Sequence, residues 1–269
     1  MSLSKLQSQI LRLLAAQRDP ESYVAGSTPL NRGGLRISDD SDIFHDREER
    51  VAHAAETDSK ILQAKGLEVI WLRREPTIYT AEVRGGDERT HLEWVVDSDY
   101  RFSPTIKDEL FGYVLHPIDL ATNKVMAAAG RQRPADLFDL VFIHERILPL
   151  GAVIWAAVEK APGFTPEGLI AEIRRKARYR NEDLRGVPTL EPIDPKTFYR
   201  RLRNILGEAE AFVRCMPTDK AGLVFLKDGK VVQPDPARLD DYTTHAGQRR
   251  GHWPTSVEIS AAMFEFYKH

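Results

Sequence analysis

The chain predicts an α/β first half followed by a mostly helical second half that carries one small β-hairpin. Three observations predict this. Helical and strand-like periodicities alternate from the N-terminus to about residue 146. From Gly151 to Arg214 the apolar spacing is helical. Beyond that, Asp228-Gly229 separates the apolar runs Leu223-Val224-Phe225-Leu226 and Val231-Val232, a strong short hairpin signal.

The elements follow in order. Leu3, Leu6, Ile10, Leu13 and Leu14 recur at three- and four-residue spacing, so about Ser4 to Gln17 reads as an amphipathic helix, ended by Asp19-Pro20. Ser22 to Ala25 reads as a short strand or helix end leading into a Gly26-Ser27 turn. Leu35 to Phe44 reads as a strand, and Asp46 to Lys65 as a helix stopped by Gly66. Leu67–Leu72, Ile78–Val83 and His91–Val96 read as strands, the last two joined into a hairpin by Gly85-Gly86-Asp87. Phe111–Leu115 is another short strand. Helices are expected at Ile118–Ala129, at Ala135–Arg146 with Pro134 in the favoured first-turn place, and at Ala152–Lys160, Pro166–Arg178 and Pro195–Arg214. The change of character falls near Leu148-Pro149-Leu150-Gly151, which divides the chain into 1–150 and 151–269. There is no internal repeat and no low-complexity tract.

Composition narrows the function classes. The 269 residues suffice for one large domain or two small ones with a real core. The chain is 42% hydrophobic and 29% charged, ordinary for a soluble globular protein. No run approaches the roughly 18 apolar residues of a membrane span, and Met1 to Pro20 has no signal-peptide layout. The single cysteine, Cys215, excludes an intramolecular disulfide framework and a cysteine-rich zinc site, so a cytoplasmic protein without a membrane partner is the simplest expectation. A net charge of −2 does not announce a nucleic-acid binder, and any such binding must come from local basic patches.

The chemistry concentrates early in the chain. Twelve residues separate Gly26-Ser27 from Asp40-Ser41-Asp42. On a strand, Asp40 and Asp42 point to one face. Two carboxylates on one face can share hard divalent cations, and Mg²⁺ takes oxygen ligands. The Gly-Ser turn lets the backbone approach a phosphate, and Ser27 can offer its hydroxyl. A small turn and then a strand with Asp-x-Asp is the layout nucleotidyl transfer needs, in which two metals clamp a triphosphate and stabilise the attacking and leaving oxygens. Asp-x-Asp alone also occurs in ordinary acidic loops. Arg32 and Arg36 are candidate phosphate contacts, or simple charge balance for the acids nearby.

Further segments carry a resemblance. Arg36-x-Ser38-x-Asp40-x-Asp42-Ile43-Phe44 resembles the metal-binding strand of nucleotidyltransferases of the AbiEii toxin type, within the DNA polymerase β-like superfamily. His91-Leu92-Glu93-Trp94-Val95-Val96-Asp97 resembles that family's third-carboxylate strand. His116-Pro117-Ile118-Asp119-Leu120-Ala121-Thr122-Asn123-Lys124 resembles its Asn-Lys helix. Arg133-Pro134-Ala135-Asp136-Leu137-Phe138-Asp139-Leu140 resembles its Arg-Asp-x-Tyr-Asp-Leu helix. The matching motifs cover about residues 20 to 146. The chain departs from the pattern in having Gly-Ser rather than Gly-Gly at the turn, Glu93 where aspartate is usual, and Arg133 three residues from Asp136.

The resemblance implies a nucleotidyltransferase-like mixed sheet with flanking helices. It implies Mg²⁺-dependent transfer of a nucleoside monophosphate from an NTP to an acceptor hydroxyl. It also implies a toxin with a cognate antitoxin, the tRNA 3′ end being the acceptor of related toxins. Asp40, Asp42 and Glu93 would be the two-metal ligands, with Glu93 alternatively the general base and Asp97 the runner-up on its face. Gly26, Ser27, Arg32, Arg36 and Lys124 would meet the nucleotide. Lys124 stands among small and apolar residues, aimed at a triphosphate or at an acidic partner, Asp136 or Asp139. Those two are three apart on one helical face, and either hold Lys124 or face solvent.

Elsewhere, Arg174, Arg175, Lys176, Arg178, Arg180 and Arg185 crowd together with Tyr179. They form a candidate RNA-backbone contact or a solvated helix face. Arg249-Arg250 beside His252-Trp253 is a second basic candidate. His45 is read as structural or exposed rather than catalytic. The alternative to an enzyme is a catalytically inactive RNA- or protein-binding relative of the same fold.

Overall fold

Helix α1 (Lys5–Leu14) begins where Ser4 and Gln7 cap each other, side chain to backbone in both directions, and a single 3₁₀ turn extends it to Gln17. The computed structural model describes residues 3–38 and 40–249. The chain divides into two compact units. Among the described residues, one comprises 3–99 with Pro104–His116, and the other Tyr100–Ser103 with 117–249.

After α1 the first unit runs β1 (Ser22–Ala25), α2 (Ser27–Leu30), β2 (Asp40–His45), α3 (Glu48–Ala64), β3 (Glu68–Glu75), β4 (Ile78–Gly85) and β5 (Glu88–Val96). The strap of the second unit, β6 (Tyr100–Arg101), interrupts it before β7 (Ile106–Asp108) and β8 (Gly112–Val114). Seven strands form one mixed sheet in the order β3-β4-β5-β2-β1-β8-β7. β2 pairs parallel with β5 and antiparallel with β1, while β1 pairs parallel with β8. One face is dry. Leu6, Ile10 and Leu14 of α1 and Val51, Ala55 and Leu62 of α3 pack on Ile43, Ala81, Val83, Leu92 and Trp94 from the sheet. Fully burying one such side chain contributes about 1.5–3 kcal/mol.

A charged group lies within this dry side. Arg18 Nη2 donates to both oxygens of Asp58, at 2.8 and 2.7 Å, and Trp94 Nε1 donates to Asp58 Oδ2 at 2.7 Å. The ion-paired side chains are 1% and 0% exposed. Burial works against charge on both partners, lowering the Arg18 pKa and raising that of Asp58. Their mutual attraction and the indole hydrogen bond work the other way. Guanidinium stays protonated in proteins, so the pair is ionic.

The second unit continues with α4 (Pro117–Gly130), α5 (Pro134–Arg146), α6 (Leu150–Ala157), α7 (Pro166–Lys176), α8 (Asn181–Arg185) and α9 (Pro195–Cys215). Every residue of α6 is buried, which makes it the central helix, and a Cβ on its Gly151 would lie 2.9 Å from Phe212 of α9. β9 (Val224–Lys227), β10 (Lys230–Val232) and β11 (Thr243–His245) form a small sheet in the order β10-β9-β11. β12 (Gln248–Arg249) pairs antiparallel with the β6 strap. The strap is held from below by Asp119, whose two oxygens accept the backbone N–H groups of Phe102 at 2.8 Å and Ser103 at 3.0 Å, while Lys160 Nζ sits 2.7 Å from Oδ1. Among the described residues no helix is long and apolar enough to cross a membrane.

The structure differs from the sequence reading at several points. β2 starts at Asp40, not Leu35; the turn that follows α2 carries Gly33-Gly34, whose backbone freedom disfavours a strand there. β6, β7, β11, β12 and α8 were not anticipated; each spans only two to five residues, too few to show a period. Leu148–Gly151, the expected domain change, is the turn from α5 into α6 within the second unit, where α4 packs against α6 and α7.

Two predictions follow from the dry face. Asp58→Ala leaves Arg18 buried without its partner and should cost about 3–5 kcal/mol in urea unfolding; a loss below 1 kcal/mol would mean the pair is dispensable. His45 is fully buried, and neither ring nitrogen has a hydrogen-bond partner among the described residues. Burial first, and then the charges of Arg18 and Arg50, bring its pKa down to about 3. The unfolded chain, with a histidine pKa near 6.5, therefore binds a proton that the folded chain refuses between these values. The His45 contribution is fully present above about pH 6.5 and is lost as pH falls toward 3, at up to ~1.4 kcal/mol per pH unit. His45→Gln should flatten that part of the stability–pH curve, and an unchanged slope from pH ~7 to ~4 would refute the assignment.

Candidate functional site

The polar face of the first unit's sheet starts from β2. Ser41, Ile43 and His45 alternate into the core, which leaves Asp40, Asp42 and Phe44 on the other face, half-buried. Parallel pairing with β5 sets Asp42 opposite Glu93 and Asp40 opposite His91. Adjacent strands lie roughly 4.8 Å apart, so these side chains are neighbours. On β4, Thr80 stands opposite Glu93 and Glu82 opposite His91, and on β3 Arg73 stands opposite Thr80. Two rows cross the face: Asp42, Glu93, Thr80, Arg73, and beside it Asp40, His91, Glu82. The Arg73 pKa is raised, first by its hydrogen bond to Glu75 and in smaller part by the charge of Glu93.

The Gly26-Ser27 turn meets this face directly. Ala25 is the β1 partner of Asp42, and Gly26 follows with φ +70°. A Cβ at Gly26 would lie 1.8 Å from Asp42 Oδ2, so the turn is shaped around that carboxylate. Ser27 is the first residue of α2, and Asn31 Nδ2 donates to its carbonyl at 3.0 Å. Thr28 Oγ1 and Ser38 Oγ both donate to the Asp40 carbonyl, at 2.5 and 3.1 Å. The start of β2 is thus tied to the turn through its backbone.

The arginines before the strand are engaged. Arg32 Nη1 is 2.8 Å from Asp108 Oδ2 and its guanidinium lies over the Phe111 ring. Arg36 is buried and donates to the Ile37 carbonyl at 3.3 Å. Asp97 lies past the end of β5, accepting from the Ser98 N–H at 2.8 Å.

In the second unit, Lys124 Nζ is 2.8 Å from Asp139 Oδ2, with the two side chains 7% and 0% exposed. Of the two acids weighed for Lys124, Asp139 is the partner. Asp136 instead takes a two-pronged ion pair from Arg131, at 2.8 and 2.9 Å. Buried Asp119 and half-buried Asn123 of α4 form a further cluster with Lys160, from the turn after α6, whose Nζ is 3.0 Å from Asn123 Oδ1.

The basic stretch is largely compensated. Arg174 pairs with Glu210 at 2.7 Å, Arg175 with Glu172 at 2.6 Å and Arg180 with Asp183 at 3.1 Å, while Lys176 donates to the Gly130 carbonyl. Arg250, His252 and Trp253 lie outside the described residues. His45 faces the core, away from the acids.

For a divalent cation, the donor chemistry on the polar face is suitable: Asp40, Asp42 and Glu93 offer only oxygen, and the absence of a Cβ at Gly26 leaves the Asp42 carboxylate its place against the turn. The side chains as placed do not converge, since among the described residues no three His, Cys, Asp or Glu groups are close enough to hold a metal ion. Sequence reading missed His91 and Glu82. The signal was present, because His91 shares its parity with Glu93, but it needs the β4–β5–β2 order to acquire meaning.

Comparison with solved structures places the fold. MenT4, a nucleotidyltransferase toxin from Mycobacterium tuberculosis H37Rv, superposes with a TM-score of 0.54 at 19% identity, covering 80% of this chain and 84% of its own. JHP933 from Helicobacter pylori gives a TM-score of 0.48 at 15% identity, covering 79% of this chain and 95% of its own. No family model and no curated protein matches the chain. The likeness to MenT4 shows a nucleotidyltransferase-type fold, a mixed sheet with flanking helices and a helical second half, as the sequence resemblance implied.

Gly26→Ala tests the geometry of the turn. The backbone conformation alone costs about 1–3 kcal/mol for a residue with a Cβ, and the methyl group must also displace the Asp42 carboxylate. Thermal unfolding should drop while Gly33→Ala, where nothing lies within 4 Å, leaves it unchanged. Equal melting of the two variants would show that the turn does not press on Asp42.

Proposed function

We propose that this protein is a Mg²⁺-dependent nucleotidyltransferase that moves a nucleoside monophosphate from an NTP to an acceptor hydroxyl. The observation that carries the reading is the row on the sheet face: Asp42 opposite Glu93, Asp40 two residues away on the same face, and a glycine turn shaped around Asp42. Asp40, Asp42 and Glu93 would hold the metal, which when bound would neutralise triphosphate charge. The chain's own contributions follow from placement. The Gly26-Ser27 turn brings backbone and a hydroxyl to the phosphates. Glu93, on the neighbouring strand, is placed to take the proton of the acceptor hydroxyl. From the second unit, Lys124, Asp136 and Asp139 are the candidate catalytic groups carried by the resemblance. The ion pair with Asp139 gives the Lys124 ammonium a fixed direction.

The acceptor we favour is RNA, such as the tRNA 3′ end, with the protein acting in the cytoplasm as the toxin of a toxin–antitoxin pair. The sequence motifs support this reading, and so does the fold shared with MenT4, itself a nucleotidyltransferase toxin. One observation favours a non-catalytic RNA- or protein-binding relative instead: the three acids do not converge as placed.

Transfer of label from α-labelled NTPs onto total RNA separates the two. Wild type with Mg²⁺ should label RNA, and chelation should abolish the signal. Asp42→Asn keeps the shape and loses the charge, so turnover should fall about 100- to 1000-fold, the usual cost of one electrostatic stabiliser, without a change in melting temperature. Unchanged turnover at saturating Mg²⁺ and NTP would overturn the role of Asp42. Absence of any transfer by wild type would favour the binding-protein reading.

A further inference from the structure

The backbone of Asp40 is held, but its side chain is a half-exposed carboxylate with several rotamers open to it. One group on the sheet face limits that freedom. His91, its parallel-strand partner, places Nδ1 3.3 Å from Asp40 Oδ1. The imidazole is backed in turn. Its Nε2 is 3.8 Å from Glu82 Oε2, Glu82 is only 13% exposed, and Arg84 Nε donates to Glu82 Oε1 at 2.6 Å. Arg84, Glu82, His91 and Asp40 therefore follow one another as alternating basic and acidic groups over β4, β5 and β2.

We propose that His91 is a positioning residue that fixes the orientation of the Asp40 carboxylate on the polar sheet face through its Nδ1 contact. This rests on the reading of Asp40 as a metal ligand. The parity of the strands supports it. His91 shares the polar face with Glu93, while Leu92 and Trp94 are fully buried on the other. A histidine here has no core to fill, and its Nδ1 lies 3.3 Å from Asp40, an acid that Gly26 does not approach. Mg²⁺ prefers oxygen donors, which gives the imidazole a place behind the ligand rather than on the metal.

The geometry distinguishes the two ring nitrogens, and amide side chains can test them separately. His91→Asn puts a donor where Nδ1 stands, His91→Gln puts one nearer Nε2, and His91→Ala removes both. Each full-length variant would be assayed for Mn²⁺ binding by electron paramagnetic resonance without nucleotide and for NTP transfer, with thermal unfolding as the check on folding. His91→Ala and His91→Gln should bind Mn²⁺ about tenfold more weakly and lose transfer in parallel, the usual scale for groups behind a ligand. His91→Asn should stay within about threefold of wild type in both. Wild-type Mn²⁺ affinity in a folded His91→Ala, alongside an inactive Asp40→Ala, would overturn the proposal and leave the role of Asp40 standing. Loss in His91→Asn equal to that in His91→Ala would also overturn it, by showing that the imidazole itself is required. Full Mn²⁺ binding and transfer by Asp40→Ala would remove the reading of Asp40 and the proposal with it.

Discussion

The parallel pairing of β2 with β5 is the constraint on which the rest of the polar face depends. A slip of one residue in β2 would turn Ser41, Ile43 and His45 outward and drive Asp40 and Asp42 into the core. Burying two carboxylates against α1 and α3 is prohibitive without partners, so the burial of Ile43 on β2 and of Leu92 and Trp94 on β5 enforces the position of the acids. The same pairing decides which β5 residues accompany them. Glu93 and His91 face outward because Leu92 and Trp94 cannot. The acids are thus held in place mainly by the apolar residues between them.

Much of this was legible in the sequence. The helices α3, α4, α5, α7 and α9 fall within a few residues of the expected spans because each carries several turns of apolar spacing and a glycine or proline at an end. The hairpins at Gly86-Asp87 and Asp228-Gly229 were marked by their turn residues. What escaped was short or non-local. β6 and β12 are two-residue strands that pair across more than a hundred residues of chain, and no local pattern records such a partner. The same limit applied to the polar face. Asp40 and Asp42 were proposed from residue type and parity and Glu93 from the resemblance, but the contact of His91 with Asp40 depends on strand order. Arg32 and Arg36 show the reverse case, since proximity in sequence to the acids did not reveal Asp108 and Phe111 as the partners of Arg32.

Cations shielded from solvent and paired with an acid recur in both units. Arg18 meets Asp58 and Lys124 meets Asp139, while Lys160 meets Asp119. Such pairs are weak sources of net stability, because the desolvation of two charges offsets most of their attraction. Their effect is directional. Lys124 cannot swing as a surface lysine does, and the carboxylate of Asp58 cannot turn away from the Trp94 indole. In contrast, the Arg174–Arg185 stretch pairs with Glu172, Asp183 and Glu210 in solvent, where the same geometry contributes little.

The strap Tyr100–Ser103 has a consequence for cutting the gene. It belongs to the second unit although the first unit's chain lies on both sides of it. A fragment opened at Pro117 would keep Lys160 against Asp119 but lose the Phe102 and Ser103 amides that saturate that carboxylate, and β12 would lose its pairing with β6. No single contiguous stretch encodes the second unit without also encoding Pro104–His116 of the first. The two units are therefore interleaved in the reading frame, and a single cut does not release either one whole and alone.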